Sequence, residues 1–134
     1  MSQPDRGLID TSVYIAKESG RQLDLAALPD EWFASVVTLA ELTSGVLAAK
    51  DLYTRSRRIG TLNLMADAEL LPVDEDVAAQ WARLRAQVSA AGRRVNVNDL
   101  WIAATAAAHR LPIVTQDADF DVLVEVGGLE IIRV

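Results

Sequence analysis

The stretch Gly7-Leu8-Ile9-Asp10-Thr11-Ser12 decides how the rest of the chain is read. A short apolar run that stops on an acid predicts a buried strand ending at Asp10, and Asp is a favoured N-cap for a helix that follows. Working outward, the same alternation recurs. Trp32 to Val36 reads as a second strand and Thr38 to Leu47 as a helix. Asp51 to Ala66 reads as a longer helix with Leu52, Ile59, Leu62 and Ala66 on one stripe. Glu69 to Val73 reads as a third strand, and Asp76 to Ala90 as a helix whose Val77, Trp81, Leu84 and Val88 repeat at helical spacing. Asn98 to His109 reads as an alanine-rich helix, Pro112 to Thr115 as a fourth strand and Leu129 to Val134 as a last one. Strands separated by helices predict an α/β fold of three layers: a central, mainly parallel sheet of four to five strands flanked by helices on both faces. In such sheets ligands bind beyond the carboxyl ends of the strands.

Neither a repeat nor a linker interrupts the 134 residues, so residues 1–134 read as a single domain. A hydrophobic content of 51% with 24% charged residues excludes a disordered or fibrous chain. The absence of cysteine excludes a disulfide scaffold and fits a reducing compartment. No apolar run approaches the ~20 residues that span a bilayer, and the start lacks the profile of a signal peptide. A cytoplasmic protein without membrane contact is the expectation. The net charge of −6 excludes attraction of the whole molecule to nucleic acid, so any such site needs a local basic patch.

The acids are informative by position. Asp10 ends the first strand; Asp117 and Asp119 follow the fourth; Glu41 and Asp99 fall near the starts of two helices. All can converge at one end of the sheet. Each also has a purely structural account. Asp10 can cap a helix, Thr38-x-x-Glu41 is a capping box, Asp99 suits a helix dipole, and Asp117, Asp119 and Asp121 suit a polar turn. Gathered together, however, they repel unless a cation neutralises them. Hard oxygen ligands suit Mg²⁺ or Mn²⁺, while one histidine and no cysteine argue against zinc. Thr11, Ser12, Asn98 and Thr115 flank the acids, either orienting them or capping helices. Arg93 and Arg94, just ahead of the Asp99 helix, and the set Lys50, Arg55, Arg57 and Arg58 are candidate phosphate contacts; a polar loop and a solvated helix face are the alternatives. Trp81 and Trp101 read as core residues, and His109 as a helix-end residue without a catalytic role.

Four segments, in order, resemble the PIN-domain family and, within it, the VapC toxins of bacterial toxin–antitoxin pairs. They are Leu8-Ile9-Asp10-Thr11-Ser12-Val13, Thr38-Leu39-Ala40-Glu41-Leu42-Thr43-Ser44-Gly45, Asn98-Asp99-Leu100-Trp101-Ile102-Ala103-Ala104-Thr105-Ala106 and Val114-Thr115-Gln116-Asp117-Ala118-Asp119-Phe120. The resemblance implies a PIN-like fold and an Mg²⁺-dependent endoribonuclease, with Mn²⁺ able to substitute, that inhibits translation or growth. It implies Asp10, Glu41, Asp99 and Asp117 as the catalytic, metal-holding quartet. Thr115 would organise that quartet, with Asp119 as a further acid that some relatives use; the support from Thr11 and Asn98 and the RNA contacts of Arg93 and Arg94 rest on their positions in the sequence instead. The resemblance further implies a VapB-type antitoxin and a homodimer. Two apolar sets, Val36, Leu39 and Leu42 and then Leu52, Ile59 and Leu62, are candidates for the antitoxin groove or for core. Hydrolysis by Mg²⁺-activated water would leave a 5′-phosphate and a 3′-hydroxyl. A phospho-accepting receiver domain is disfavoured, because Asp10 has no acidic neighbour and no lysine follows Lys50. An Asp-nucleophile phosphatase would want Asp-x-Asp where Asp10-Thr11-Ser12 stands. A non-catalytic PIN scaffold that binds RNA or a partner is the remaining alternative.

Overall fold

A computed structural model describes residues 5–134. Its five strands are β1 (Arg6–Ile9), β2 (Glu31–Ser35), β3 (Glu69–Leu71), β4 (Ile113–Thr115) and β5 (Ile131–Arg133), all paired in parallel in the order β3-β2-β1-β4-β5. The chain starts in the middle, builds outward through β2 and β3, then crosses to build the other half from β4. The strand order therefore reverses between β1 and β4, where an open α/β sheet forms its crevice.

Neighbouring side chains on a strand point to opposite faces, and each face has its own core. Leu8 and Ile113 join Val77, Leu84 and Ile102 on one side. Ile9 and Val114 join Val13, Tyr14 and Leu42 on the other. The first face is covered by α4 (Glu75–Ala90), α5 (Val97–Ala108) and α6 (Asp121–Gly127). The second is covered by α1 (Thr11–Glu18), α2 (Val36–Ala48) and α3 (Leu52–Asn63). The buried Ala103, Ala104 and Ala106 let α5 lie close against its neighbours. Trp81 of α4 and Trp101 of α5 stack with ring centroids 4.9 Å apart, partly buried against the first core. Gly7 keeps β1 and β4 in contact: a Cβ there would come within 2.6 Å of Val114 Cγ2.

The differences from the sequence reading sit at the ends of elements and on the apolar stripe of α3. Strand β2 ends at Ser35 rather than Val36, because the Ser35 hydroxyl accepts the Val37 N–H at 3.0 Å and starts α2 there. Thr38-x-x-Glu41 is consequently no capping box. Thr38 lies inside the helix with 0% exposure, and Ser35 is the N-cap. Helix α3 stops at Asn63 and passes into a short 3-10 turn over Leu64–Asp67. Its expected apolar stripe does not all turn inward: Leu52 is 84% exposed and Ile59 41%, and only Leu62 packs against the core. Strand β3 ends at Leu71, before Pro72, which has no N–H for a ladder. Asp121 belongs not to a turn but to the first turn of α6. Among the described residues no helix is long and apolar enough to cross a membrane.

A carboxylate pocket as the candidate active site

Asp10 leaves β1 at the point where the strand order reverses and serves as N-cap of α1, its Oδ2 accepting the Ser12 N–H at 3.3 Å. The same oxygen accepts the Thr115 hydroxyl at 3.0 Å from the end of β4. Thr115 Oγ1 in turn accepts the Asp117 N–H at 3.0 Å, and Ser12 Oγ accepts the Gln116 N–H at 3.1 Å. These short bonds stitch the ends of the two central strands together and fix the Asp10 carboxylate and the Asp117 backbone. The Asp10 cap and the site are thus one feature, not alternatives.

Glu41 comes from the second turn of α2. Its Oε1 accepts the Thr11 hydroxyl at 2.7 Å, and Thr11 shares a 3.0 Å hydrogen bond with the buried Thr38 hydroxyl. Asp99 comes from the first turn of α5, whose N-cap Asn96 accepts the N–H groups of Asn98 at 2.9 Å and Asp99 at 3.4 Å.

A cavity of about 270 Å³ is lined by Asp10, Glu41, Asp99, Asp117 and Asp119 together. Their mutual effect is visible in the acid–base balance. Burial, then the charges of Asp10, Asp119, Glu41 and Asp117, push the Asp99 carboxyl up to about 7. Burial also raises Asp10, against the lowering pull of the Ser12 and Thr115 hydrogen bonds. Both ion pairs among the described residues, Arg93–Glu125 and Arg133–Asp121, lie outside this group. As they stand, no three of these side chains converge on one point to hold an ion. The donor set still fits a hydrated hard cation. It is all oxygen, it concentrates unneutralised negative charge, and Mg²⁺ keeps several waters while using one or two carboxylates. It does not fit a zinc site.

The quartet, Asp119 and Thr11 therefore meet in one pocket, with Thr115 directly behind it. Asn98 does not join them. It lines an adjacent open groove with Val36, Val37, Ala40, Ser44 and Glu41. Neither Arg93 nor Arg94 lines the pocket, and Arg93 is held by Glu125 at 2.9 Å. Sequence reasoning missed Asn96 and Arg21, both of which line it. The Asn-x-Asn-Asp run over residues 96–99 is a cap signal that points to Asn96; nothing in the sequence around Arg21 does.

Residues 7–126 match the PIN domain family. The chain is 56% identical to Ribonuclease VapC5 of Mycobacterium tuberculosis, over 98% of this chain and 97% of that protein. It is 45% identical to Ribonuclease VapC4 of the same organism, over 94% and 97% of the two chains. The crystal structure of VapBC-5, a member of the VapBC family of toxin-antitoxin systems from M. tuberculosis, superposes with a TM-score of 0.90 at 53% identity, covering 98% of this chain and 100% of that one. VapBC2 of Rickettsia felis shares the fold at 21% identity and a TM-score of 0.79. The chain belongs to the PIN-domain family, in its VapC branch.

Proposed function

We propose that this protein is a divalent-metal-dependent endoribonuclease acting as the toxin of a toxin–antitoxin pair. The observation that carries the reading is the meeting of five carboxylates from four separate segments in one pocket where the strand order reverses, with Asp99 crowded by the other four. Asp10 and Asp99 would hold the cation, with Asp117 and Asp119 within the same pocket to complete its surroundings. When bound, Mg²⁺ or Mn²⁺ neutralises phosphoryl oxygens and makes water a stronger acid at neutral pH.

The chain's own groups do the positioning. Thr115 holds the Asp10 carboxylate and the Asp117 backbone in place, so that the Asp10 carboxylate is kept from free rotation. Thr11 fixes one Glu41 oxygen and leaves the other to orient a water or take its proton as general base. Attack by water on the phosphodiester yields a 5′-phosphate and a 3′-hydroxyl and does not use the RNA 2′-hydroxyl.

The proposed partner is a VapB-type antitoxin, as the VapBC-5 crystal structure suggests by its name, and the proposed assembly includes a homodimer. The exposed Leu47, Leu52 and Tyr53 at the α2–α3 corner supply apolar surface for such contacts. Leu42 is buried, so the first of the two expected apolar sets is partly core. Incubating purified protein with total RNA and Mg²⁺, then mapping fragment ends, tests the reading. Metal-dependent fragments with 5′-phosphates support it; intact RNA, or equal cleavage in chelator, refutes it.

A further inference from the structure

We infer that Arg21 is a phosphate-binding residue of this site, a guanidinium that holds the RNA backbone at the rim of the carboxylate pocket; the inference rests on the ribonuclease reading. Among the described residues, Arg21 is the one basic side chain that lines the pocket with the five carboxylates. A pocket so acidic repels a phosphodiester, and a fixed positive group at its rim offsets that repulsion. Arg21 is free for the task. It forms no ion pair with any of the five acids, and its side chain makes one hydrogen bond, from Nε to Ser19 Oγ at 3.3 Å. Both terminal nitrogens are left to donate, in the fork geometry that grips two phosphate oxygens.

The backbone explains why Arg21 sits beside the acids without collapsing onto them. Helix α1 ends in a left-handed turn at Gly20, with φ of 75°. The Gly20 N–H donates to the Lys17 carbonyl at 3.4 Å and the Arg21 N–H to the Ala16 carbonyl at 2.9 Å, a paired cap that fixes the chain direction at Arg21. One residue on, the Gln22 carbonyl accepts Gln116 Nε2 at 2.8 Å, and Gln116 neighbours Asp117. The segment is therefore tied on one side to the helix that Asp10 caps and on the other to the loop that carries Asp117. The Arg21 side chain itself is exposed and does not serve the packing of α1.

The test compares wild type, Arg21→Ala and Arg21→Lys in three measurements. They are affinity for a non-cleavable single-stranded RNA oligonucleotide across a salt series, cleavage kinetics, and Mn²⁺ affinity of the protein alone. Arg21→Ala should bind the oligonucleotide about 10-fold more weakly at low salt, with a log–log salt slope shallower by about one. Its kcat/KM should fall at least as much, while Mn²⁺ affinity stays the same or rises. Arg21→Lys should keep the salt slope but regain only part of the rate, since a point charge lacks the fork. Equal oligonucleotide affinity and salt slope in wild type and Arg21→Ala would overturn the inference, as would a loss confined to Mn²⁺ affinity. Failure of the wild type to cut any RNA with metal would instead sink the ribonuclease reading, and the binding arm would still decide the role of Arg21.

Discussion

The Thr115 hydroxyl donates to Asp10 Oδ2 at 3.0 Å across the β1–β4 junction, although 105 positions separate the two residues in the chain. The bond closes the sheet at the point where the proposed chemistry sits. It also supplies one of the donors that the carboxylate of Asp10, a residue with 3% exposure, has in place of water.

Thr115→Val should therefore act on both stability and turnover. Removing a donor from a buried acceptor costs about 1–3 kcal/mol, and loosening a group that orients a metal ligand costs about 10–100-fold in activity or metal affinity. Denaturant unfolding and Mn²⁺ titration of the variant check the two effects. An unchanged midpoint together with unchanged Mn²⁺ affinity would show that the bond is idle.

Asp99→Asn separates the site from the helix dipole. If Asp99 served only the first turn of α5, its neutralisation would cost about 0.3–1 kcal/mol. Burial penalises its charged form, however, and the four neighbouring carboxylates add to that effect. We expect the neutral variant to melt at a higher temperature than wild type in chelator, to lose the Mn²⁺-dependent rise in Tm, and to cut no RNA. A lower Tm with full cleavage would restore the dipole account.

Glu41→Gln tests the role of that charge without breaking its hydrogen bond. The Thr11 hydroxyl, now 2.7 Å from Glu41 Oε1, can donate to an amide oxygen as well. The fold should hold within about 0.5 kcal/mol, as for a substitution at a partly exposed position. Cleavage should fall by about 10²–10⁴-fold if Glu41 moves or orients a proton. Steady-state kinetics beside thermal melts give the comparison, and wild-type turnover would remove Glu41 from the mechanism.

Leu52→Ser tests the proposed partner surface. Leu52 is 84% exposed at the start of α3, so its loss should leave stability within about 0.5 kcal/mol. Co-purification with the product of the adjacent reading frame should show a weaker complex than wild type, with RNA cleavage by the free variant unchanged. A complex as tight as the wild-type one would exclude Leu52 from the interface.

The parallel α/β architecture and the identity of the clustered acids were legible in the sequence, because strands as short as Leu8-Ile9 and Ile113-Val114 are apolar on both faces and are followed within three residues by Asp10 and Asp117. Helix starts were less so. Ser35 and Thr38 both suit an N-cap, and only the end of β2 decides for Ser35. Helices α1 and α6 span 8 and 7 residues, too few turns for an apolar period to stand out. The α3 stripe has helical spacing but is partly exposed, since periodicity reports a face and not what covers it. Arg93 was placed by its nearness to Asp99 in sequence, whereas Glu125 of α6 holds it away. Arg21 reaches the pocket by a turn that Gly20 permits and by a hydrogen bond to Gln116, contacts that no local pattern around it reports.

The central claim is that the carboxylate pocket cuts RNA only with a divalent cation bound. It is tested most directly by incubating metal-stripped protein with RNA in EDTA, then adding excess Mg²⁺ or Mn²⁺, with Asp99→Asn alongside. The account predicts no cleavage in EDTA, cleavage with 5′-phosphate ends on metal addition, and none from the variant. Cleavage by stripped protein in EDTA, or equal cleavage by Asp99→Asn, would contradict it.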